Sequence, residues 1–178
     1  MPRPSSRDKI LDALASIIVN EGMAAATLDA VCARAGVSKG GLLYHFPSRE
    51  AMFDGLQQRL LGSVDAAVAE APTDPHALIE WYLSEPVIDD TESGIYAALI
   101  ATARADATGD VAAARLAELF DRYFVPLRTL ADPALAAHVE MVADGMFLRA
   151  ILGLTIPGPA ARAAMIERLT RPDVADPT

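Results

Sequence analysis

Apolar residues recur at helical intervals along most of the chain. Ile10, Leu11, Leu14, Ile17 and Ile18 mark one face of a segment that opens after Ser5-Ser6 and stops at Gly22, which predicts an amphipathic helix over residues 6–21. Thr27 is a suitable N-cap for a second helix, with Leu28, Val31 and Cys32 on its buried face and Asp29 in the first turn, where a carboxylate favours the helix dipole. Gly36 ends that helix after about two turns. Ser38 caps a third helix through Leu42, Leu43, Tyr44 and Phe46, closed by Pro47; Ser48 caps a fourth that continues to about Ala71.

Past residue 72 prolines set the punctuation. Pro72 and Pro75 precede a helix through Leu78, Trp81 and Leu83, and the acidic stretch 85–93 reads as a loop. Helices are expected at 94–106, 110–130, 134–155 and 160–170, with Pro157-Gly158-Pro159 separating the last two and a frayed tail from Pro172. The pattern contains about nine helices and no strand. The fold class is therefore all-α: an N-terminal three-helix domain followed by a larger helical domain.

Composition agrees. The chain has 178 residues and 52% hydrophobic content, dominated by Ala and Leu, which lose little in helices. No apolar run reaches the ~18 residues that span a bilayer, and MPRPSSRDK is not a signal peptide, so a cytoplasmic protein without membrane association is expected. Cys32 is the single cysteine, which excludes intrachain disulfides and cysteine-cluster metal sites; no metal or cofactor is expected. The net charge of −9 is unevenly spread. Residues 1–50 carry six basic and five acidic groups, whereas 51–178 carry nine and nineteen, giving +1 and −10. Such asymmetry suggests two domains with different partners, divided as 1–50 and 51–178.

The stretch Thr27 to Phe46, TLDAVCARAGVSKGGLLYHF, sets two short helices about a glycine turn, the shape that places a second helix in a DNA major groove. Val37 plugs the angle between the helices. The N-terminus of the second helix suits phosphate, with Lys39, Tyr44, His45 and Arg49 supplying polar reach. The run GVSKGGLLYHFPSREAMFDGL, following DKILDALASIIVNEG, resembles the DNA-binding domain of the TetR family of transcriptional regulators over residues 7 to about 60. That resemblance implies a homodimer on a near-palindromic double-stranded operator, and a C-terminal domain whose small-molecule effector releases the DNA. It also implies phosphate contact at Thr27, a recognition helix holding Ser38, Lys39, Gly40, Gly41, Tyr44 and His45, and a basic contact at Arg49. Gly40 and Gly41 depart from the commoner pattern. Each costs about 0.5–1 kcal/mol of helix stability relative to alanine, and either permits close DNA approach or merely tolerates a helix start. Base readout then leans on Lys39, Leu42, Tyr44, His45 and DNA shape. Arg3 and Arg7 form either a phosphate-gripping arm or a solvated start, while Phe46, Leu43, Leu28 and Val31 are expected in the core.

For the effector pocket, Trp81, Tyr82, Tyr96, Arg104, Tyr123, His138, Met141 and Arg149 are polar, aromatic or flexible residues within apolar helices; the dull alternative makes them core or solvated groups. The helix at 134–155 spreads Leu135, Val139, Val142, Met146, Leu148, Ile151 and Leu152 around most of its circumference, so more than one side must be covered. Its segment ADGMFLRAILG resembles the penultimate helix of a TetR subgroup. With residues 160–170 it implies an intersubunit four-helix bundle using Val142, Gly145, Arg149, Leu152, Met165 and Leu169. An enzyme fits poorly: His45, His76 and His138 fall in different helices, and no HExxH, GxSxG or phosphate-cradling loop is present. A helical interaction adaptor, the other rival, predicts no DNA affinity.

Overall fold

The structure, a computed structural model, describes residues 5–84, 90–102 and 109–170. Among these lie nine α-helices: α1 (Ser6–Glu21), α2 (Leu28–Ala35), α3 (Lys39–His45), α4 (Arg49–Ala69), α5 (Pro75–Tyr82), α6 (Asp90–Thr102), α7 (Gly109–Tyr123), α8 (Pro133–Ile151) and α9 (Pro159–Thr170). Two short 3-10 turns, Met23–Ala25 and Val125–Thr129, complete the described elements, and no strand occurs among the described residues. The all-α class and the N-terminal helix-turn-helix stand.

Caps explain the starts. Ser5 accepts the Asp8 amide at 3.1 Å and donates its hydroxyl (2.6 Å) and its own amide (3.2 Å) to the Asp8 carboxylate, and these two donors, the hydroxyl first, hold that carboxyl below its ordinary pKa. Asp74 and Asp132 cap α5 and α8, each followed by a proline whose missing amide costs nothing at a helix's first position. Helix α6 starts earlier than expected, at Asp90 inside the acidic stretch read as a loop, where carboxylates in a first turn favour the helix dipole, and the expected end at 106 lies outside the described residues. Two stops also differ from expectation. The helix expected over 110–130 ends at Tyr123 and continues only as a 3-10 turn, because Pro126 has no amide to donate and disfavours helix in the residue before it. The helix expected to reach 155 ends at Ile151, with Gly153 taking the left-handed conformation (φ 63°) that reverses the chain.

The chain forms two compact units, Met1–Ala66 with Ile88–Arg122, and Ala67–Val87 with Tyr123–Thr178. In the first, Ile10, Leu11, Leu14 and Ile17 of α1 are fully or almost fully buried, as are Val31, Leu42 and Met52. Helix α6 joins this unit by close approach: a Cβ on Gly94 would lie 2.5 Å from Val19 Cγ2. Helix α7 is laced to α4 by polar groups at helical spacing. Arg115 pairs with Asp54, Gln57 donates to Glu118 at 2.5 Å, and Arg122 pairs with Asp65 at 2.9 Å. Packing therefore divides the chain along a different line from the motif-based boundary at residues 50/51, because α6 and α7 find their partners on α1 and α4. The second unit buries Leu78, Ile79, Tyr82 and Leu83 with Leu127, Val139 and Met146.

Candidate nucleic-acid interface

The elbow between α2 and α3 is set locally. Gly36 takes φ 65°, a left-handed conformation that costs a glycine little, and its amide closes α2 on the Cys32 carbonyl. Two residues later Ser38 starts α3 by accepting the Gly41 amide at 3.1 Å. Thr27 plays the same part for α2, accepting the Ala30 amide at 3.2 Å. Each hydroxyl thus caps its helix through its oxygen. Arg34 ties α2 back to α1, donating to Ser16 Oγ at 2.8 Å and pairing with Glu21.

On α3 the outward face is well defined. Tyr44 is 85% exposed, and its ring meets His45 edge-on at 5.1 Å. Lys39 is exposed and pairs with Asp29 of α2 at 2.9 Å, which raises the lysine pKa through the hydrogen bond and the carboxylate charge. Gly40 and Gly41 are exposed. A Cβ on Gly40 would meet nothing within 4 Å, whereas one on Gly41 would lie 3.3 Å from Ser38 Oγ, against the cap itself.

Leu42 and Leu43 exchange their expected roles. Leu42 is fully buried and leaves the list of base readers, while Leu43, expected in the core, is 39% exposed. The phase of α3 decides this: Leu42 and Phe46 stand one turn apart and share the inward side, and Leu43 is rotated about 100° from it. Val31 and Phe46 are core, and Leu28 and Cys32 are half-buried. Arg49 is also placed differently from a free contact. Its guanidinium donates to the carbonyls of Ala26 (2.8 Å) and Met23 (2.7 Å) and lies 4.7 Å from the Phe53 ring centre. Arg7 is exposed with its guanidinium 5.3 Å from the Phe46 ring centre, and Arg3 lies outside the described residues.

The residues expected at an effector pocket fall in both units, and within the second unit only three of the described ones come together. In the second unit Tyr82, Trp81, Tyr123 and Phe124 form an aromatic cluster. Tyr82 meets Trp81 and Tyr123 edge-on at 4.7 and 5.3 Å, and its hydroxyl donates to the Tyr123 carbonyl at 2.6 Å. Burial raises the pKa of both tyrosines, with Tyr123 and Glu140 adding to the effect on Tyr82. Tyr96 is buried in the first unit, and Arg104 lies outside the described residues. His138, Met141 and Arg149 are exposed along α8, with His138 bonded to the Ala134 carbonyl and Arg149 to that of Thr155. A groove of about 450 Å³ between α5 and α9, lined by His76, Glu80, Leu83, Arg162 and Ile166 among others, contains none of the expected pocket residues.

Helix α8 buries Val139, Ala143 and Met146 on one side. On the opposite side Met141 (73% exposed), Gly145, Leu148 and Leu152 (57% exposed) form an apolar stripe, flanked by His138 and Arg149. Val142 lies half-buried beside it, and α9 buries no residue fully, with Met165 and Leu169 half-covered. Asp144, one turn from Glu140, has a buried Oδ1 without a hydrogen-bond partner among the described residues; burial first, then Glu140, pushes its pKa up to about 6. Sequence reasoning missed the pairing of Asp29 with Lys39. The signal is a carboxylate and an ammonium on either side of a glycine elbow, but a carboxylate in a first turn is equally accounted for by the helix dipole.

No group of His, Cys, Asp and Glu among the described residues could hold a metal, and none of the described helices is long and apolar enough to cross a membrane. Residues 10–56 match the family described as bacterial regulatory proteins, tetR family, and residues 76–172 match the tetracyclin repressor-like C-terminal domain. Over 67 residues the chain is 40% identical to the nucleoid occlusion factor SlmA of Aliivibrio fischeri (strain MJ11), covering 37% of this chain and 34% of that protein. It thus spans about a third of the length of the curated relatives it matches. Among solved structures, SCO1917 of Streptomyces coelicolor A3, a TetR-family member, is similar at 25% identity and TM-score 0.72, covering 93% of this chain and 98% of that one. The multidrug binding protein EbrR complexed with malachite green shares the fold at 24% identity and TM-score 0.71, with the same coverage. The chain belongs to the TetR family of bacterial transcriptional regulators, whose members bind DNA through this helix-turn-helix.

Proposed function

We propose that the chain is a homodimeric repressor that leaves its operator when a small-molecule effector binds, with residues 1–50 reading DNA and 51–178 carrying the effector site and dimer contacts. The observation that carries the DNA half is α3 itself: a capped helix whose outward face holds Lys39, two glycines, Leu43 and an 85% exposed Tyr44. Lys39 meets phosphate or a guanine edge, Tyr44 and His45 reach into the groove, and Leu43 offers apolar contact to a thymine methyl. Thr27 and Ser38, whose oxygens already accept from amides, donate their hydroxyl hydrogens to phosphate. Arg49 acts by holding the turn before Thr27.

Dimerisation uses the α8 stripe, where Met141, Gly145, Leu148, Leu152 and the flanking Arg149 and Val142 meet their copies, with Met165 and Leu169 of α9 beside them. An apolar stripe opposite a buried one calls for a second cover. The effector half draws on the aromatic cluster at Trp81, Tyr82 and Tyr123, and on the EbrR structures with malachite green and imidazole. Ligand binding shifts the population toward a body in which the two recognition helices no longer match the groove spacing, with α4 as the continuous element. The work is done in the cytoplasm, where the operator is.

Selection of bound duplexes from a random pool tests this reading. It should enrich a near-palindrome with half-sites roughly 34–36 Å apart, bound by two chains. Enrichment of no sequence, or a monomer by light scattering with DNA binding intact, contradicts it.

A further inference from the structure

We propose that Asp29 governs how much positive charge the helix-turn-helix delivers to DNA, by holding Lys39 as a counter-ion that phosphate must displace. The proposal rests on the DNA-binding reading of α3 and adds a residue that acts through another. Lys39 Nζ lies 2.9 Å from Asp29 Oδ1, across an elbow that brings together residues ten apart in sequence. Both side chains are largely exposed, at 59% and 78%, so neither is committed to packing. Lys39 is the one side chain of α3 that is cationic at any physiological pH, since the helix otherwise reads Gly-Gly-Leu-Leu-Tyr-His. Arg34 and Arg49 are tied to Glu21 and to backbone carbonyls.

Residues 1–50 carry a net charge of only +1 with Asp29 counted, so loss of that one carboxylate doubles it to +2. An exposed ion pair is weak, on the order of 0–1 kcal/mol, so a phosphate oxygen competes for the same ammonium at modest cost. Asp29 therefore leaves the lysine available while lowering the sequence-independent part of the affinity. That part scales with the number of phosphates neutralised and with salt. The carboxylate also pre-orients Lys39 toward α2, and the closeness of the pair raises the pKa of the lysine, consistent with a continuously charged partner.

The test compares wild type, Asp29→Asn, Asp29→Glu, Lys39→Met and Asp29→Asn/Lys39→Met. Binding is measured on a duplex recovered from a random pool and on a scrambled duplex of equal length, between 0.05 and 0.3 M salt (roughly the range in which counterion release is read). Circular dichroism confirms that each variant is folded. Asp29→Asn is expected to bind both duplexes more tightly, by about two- to fivefold per subunit near 0.1 M salt, with a gain that shrinks as salt rises, so that the slope of log K against log salt steepens by less than the roughly 0.9 of a whole added phosphate contact. Asp29→Glu should restore wild-type behaviour, and in the Lys39→Met background the Asp29→Asn change should gain less than twofold. An equal gain with and without Lys39 overturns the proposal in favour of a general field effect. Weaker binding by Asp29→Asn overturns it by making Asp29 a direct contact. If wild type binds neither duplex, the DNA-binding reading falls and the proposal with it; wild-type binding with an unmoved Asp29→Asn removes the proposal alone.

Discussion

Arg49 Nε donates to the carbonyl of Ala26 at 2.8 Å, and the same guanidinium reaches the Met23 carbonyl at 2.7 Å. The first residue of α4 thereby fixes the 3-10 turn from which Thr27 and α2 emerge. Ala26 is fully buried, so its carbonyl has few alternatives to this donor. The orientation of α2, and through the Gly36 elbow that of α3, depends on a side chain that need not touch DNA.

Arg49→Ala should accordingly destabilise the chain by about 2–3 kcal/mol, the range for losing hydrogen bonds from a charged donor. Urea unfolding monitored by circular dichroism measures it. Arg49→Lys is expected to recover less than half, because an ammonium cannot span both carbonyls as the planar fork does. A neutral effect of Arg49→Ala on stability, with loss confined to DNA affinity, would return Arg49 to the contact surface.

Gly40→Ala and Gly55→Ala should move stability in opposite directions. A Cβ on Gly40 meets open space, so alanine stabilises α3 by about 0.5–1 kcal/mol. If close DNA approach is used there, operator affinity falls while stability rises. At Gly55 a Cβ would sit 2.5 Å from Phe46 Cε1, in the core that supports α3. Overpacking of that kind costs about 1–3 kcal/mol. Thermal unfolding of the two variants reads both signs.

Tyr82→Phe keeps the ring that packs in the second unit and removes the hydroxyl that satisfies the Tyr123 carbonyl. The unsatisfied acceptor costs about 1–3 kcal/mol. Unfolding in urea should show a lower midpoint with an unchanged slope; an unchanged midpoint would mean that the bond contributes nothing net.

Asp144 gives stability a pH dependence of definite sign. Its folded pKa, about 6, lies above the ordinary aspartate value, so the folded chain binds the proton more readily than the unfolded one. Stability from this group is therefore highest below about pH 4 and falls as pH rises toward 6, leaving a penalty at neutral pH. Asp144→Asn should be more stable than wild type at pH 7, by on the order of 1 kcal/mol after allowance for solvent screening at this half-open position, and equal to it near pH 4. Paired denaturation curves at the two pH values decide it; a variant less stable at pH 7 would mean that the carboxylate has a donor.

Much of the fold was legible because its signals are local. Ser5, Thr27, Ser38 and Ser48 each accept an amide from three residues on, and Gly36 stands just past α2, so the first four helices could be read from caps and stops. What required three dimensions was phase and partnership. A seven-residue helix with adjacent leucines does not announce which of Leu42 and Leu43 is inside; contact with α1 and α2 settles it. Nor does spacing reveal that Arg49 turns back onto carbonyls 23 and 26 residues earlier, or that Asp29 meets Lys39. Spacing alone does not separate pocket residues from core, because aromatic residues in apolar helices serve equally as both. Tyr82 and Tyr96 are buried in different units, while Met141 joins an exposed stripe.

On the proposed function, two copies of this helix-turn-helix read one specific DNA sequence together. The most direct measurement is fluorescence anisotropy of the full chain on the pool-selected duplex and on its scrambled counterpart at 0.15 M salt, with stoichiometry from the saturation point. Two chains per duplex and a preference of at least about a thousandfold for the selected sequence are expected. Equal affinity for the two duplexes, or one chain per duplex at saturation, would contradict the proposed function.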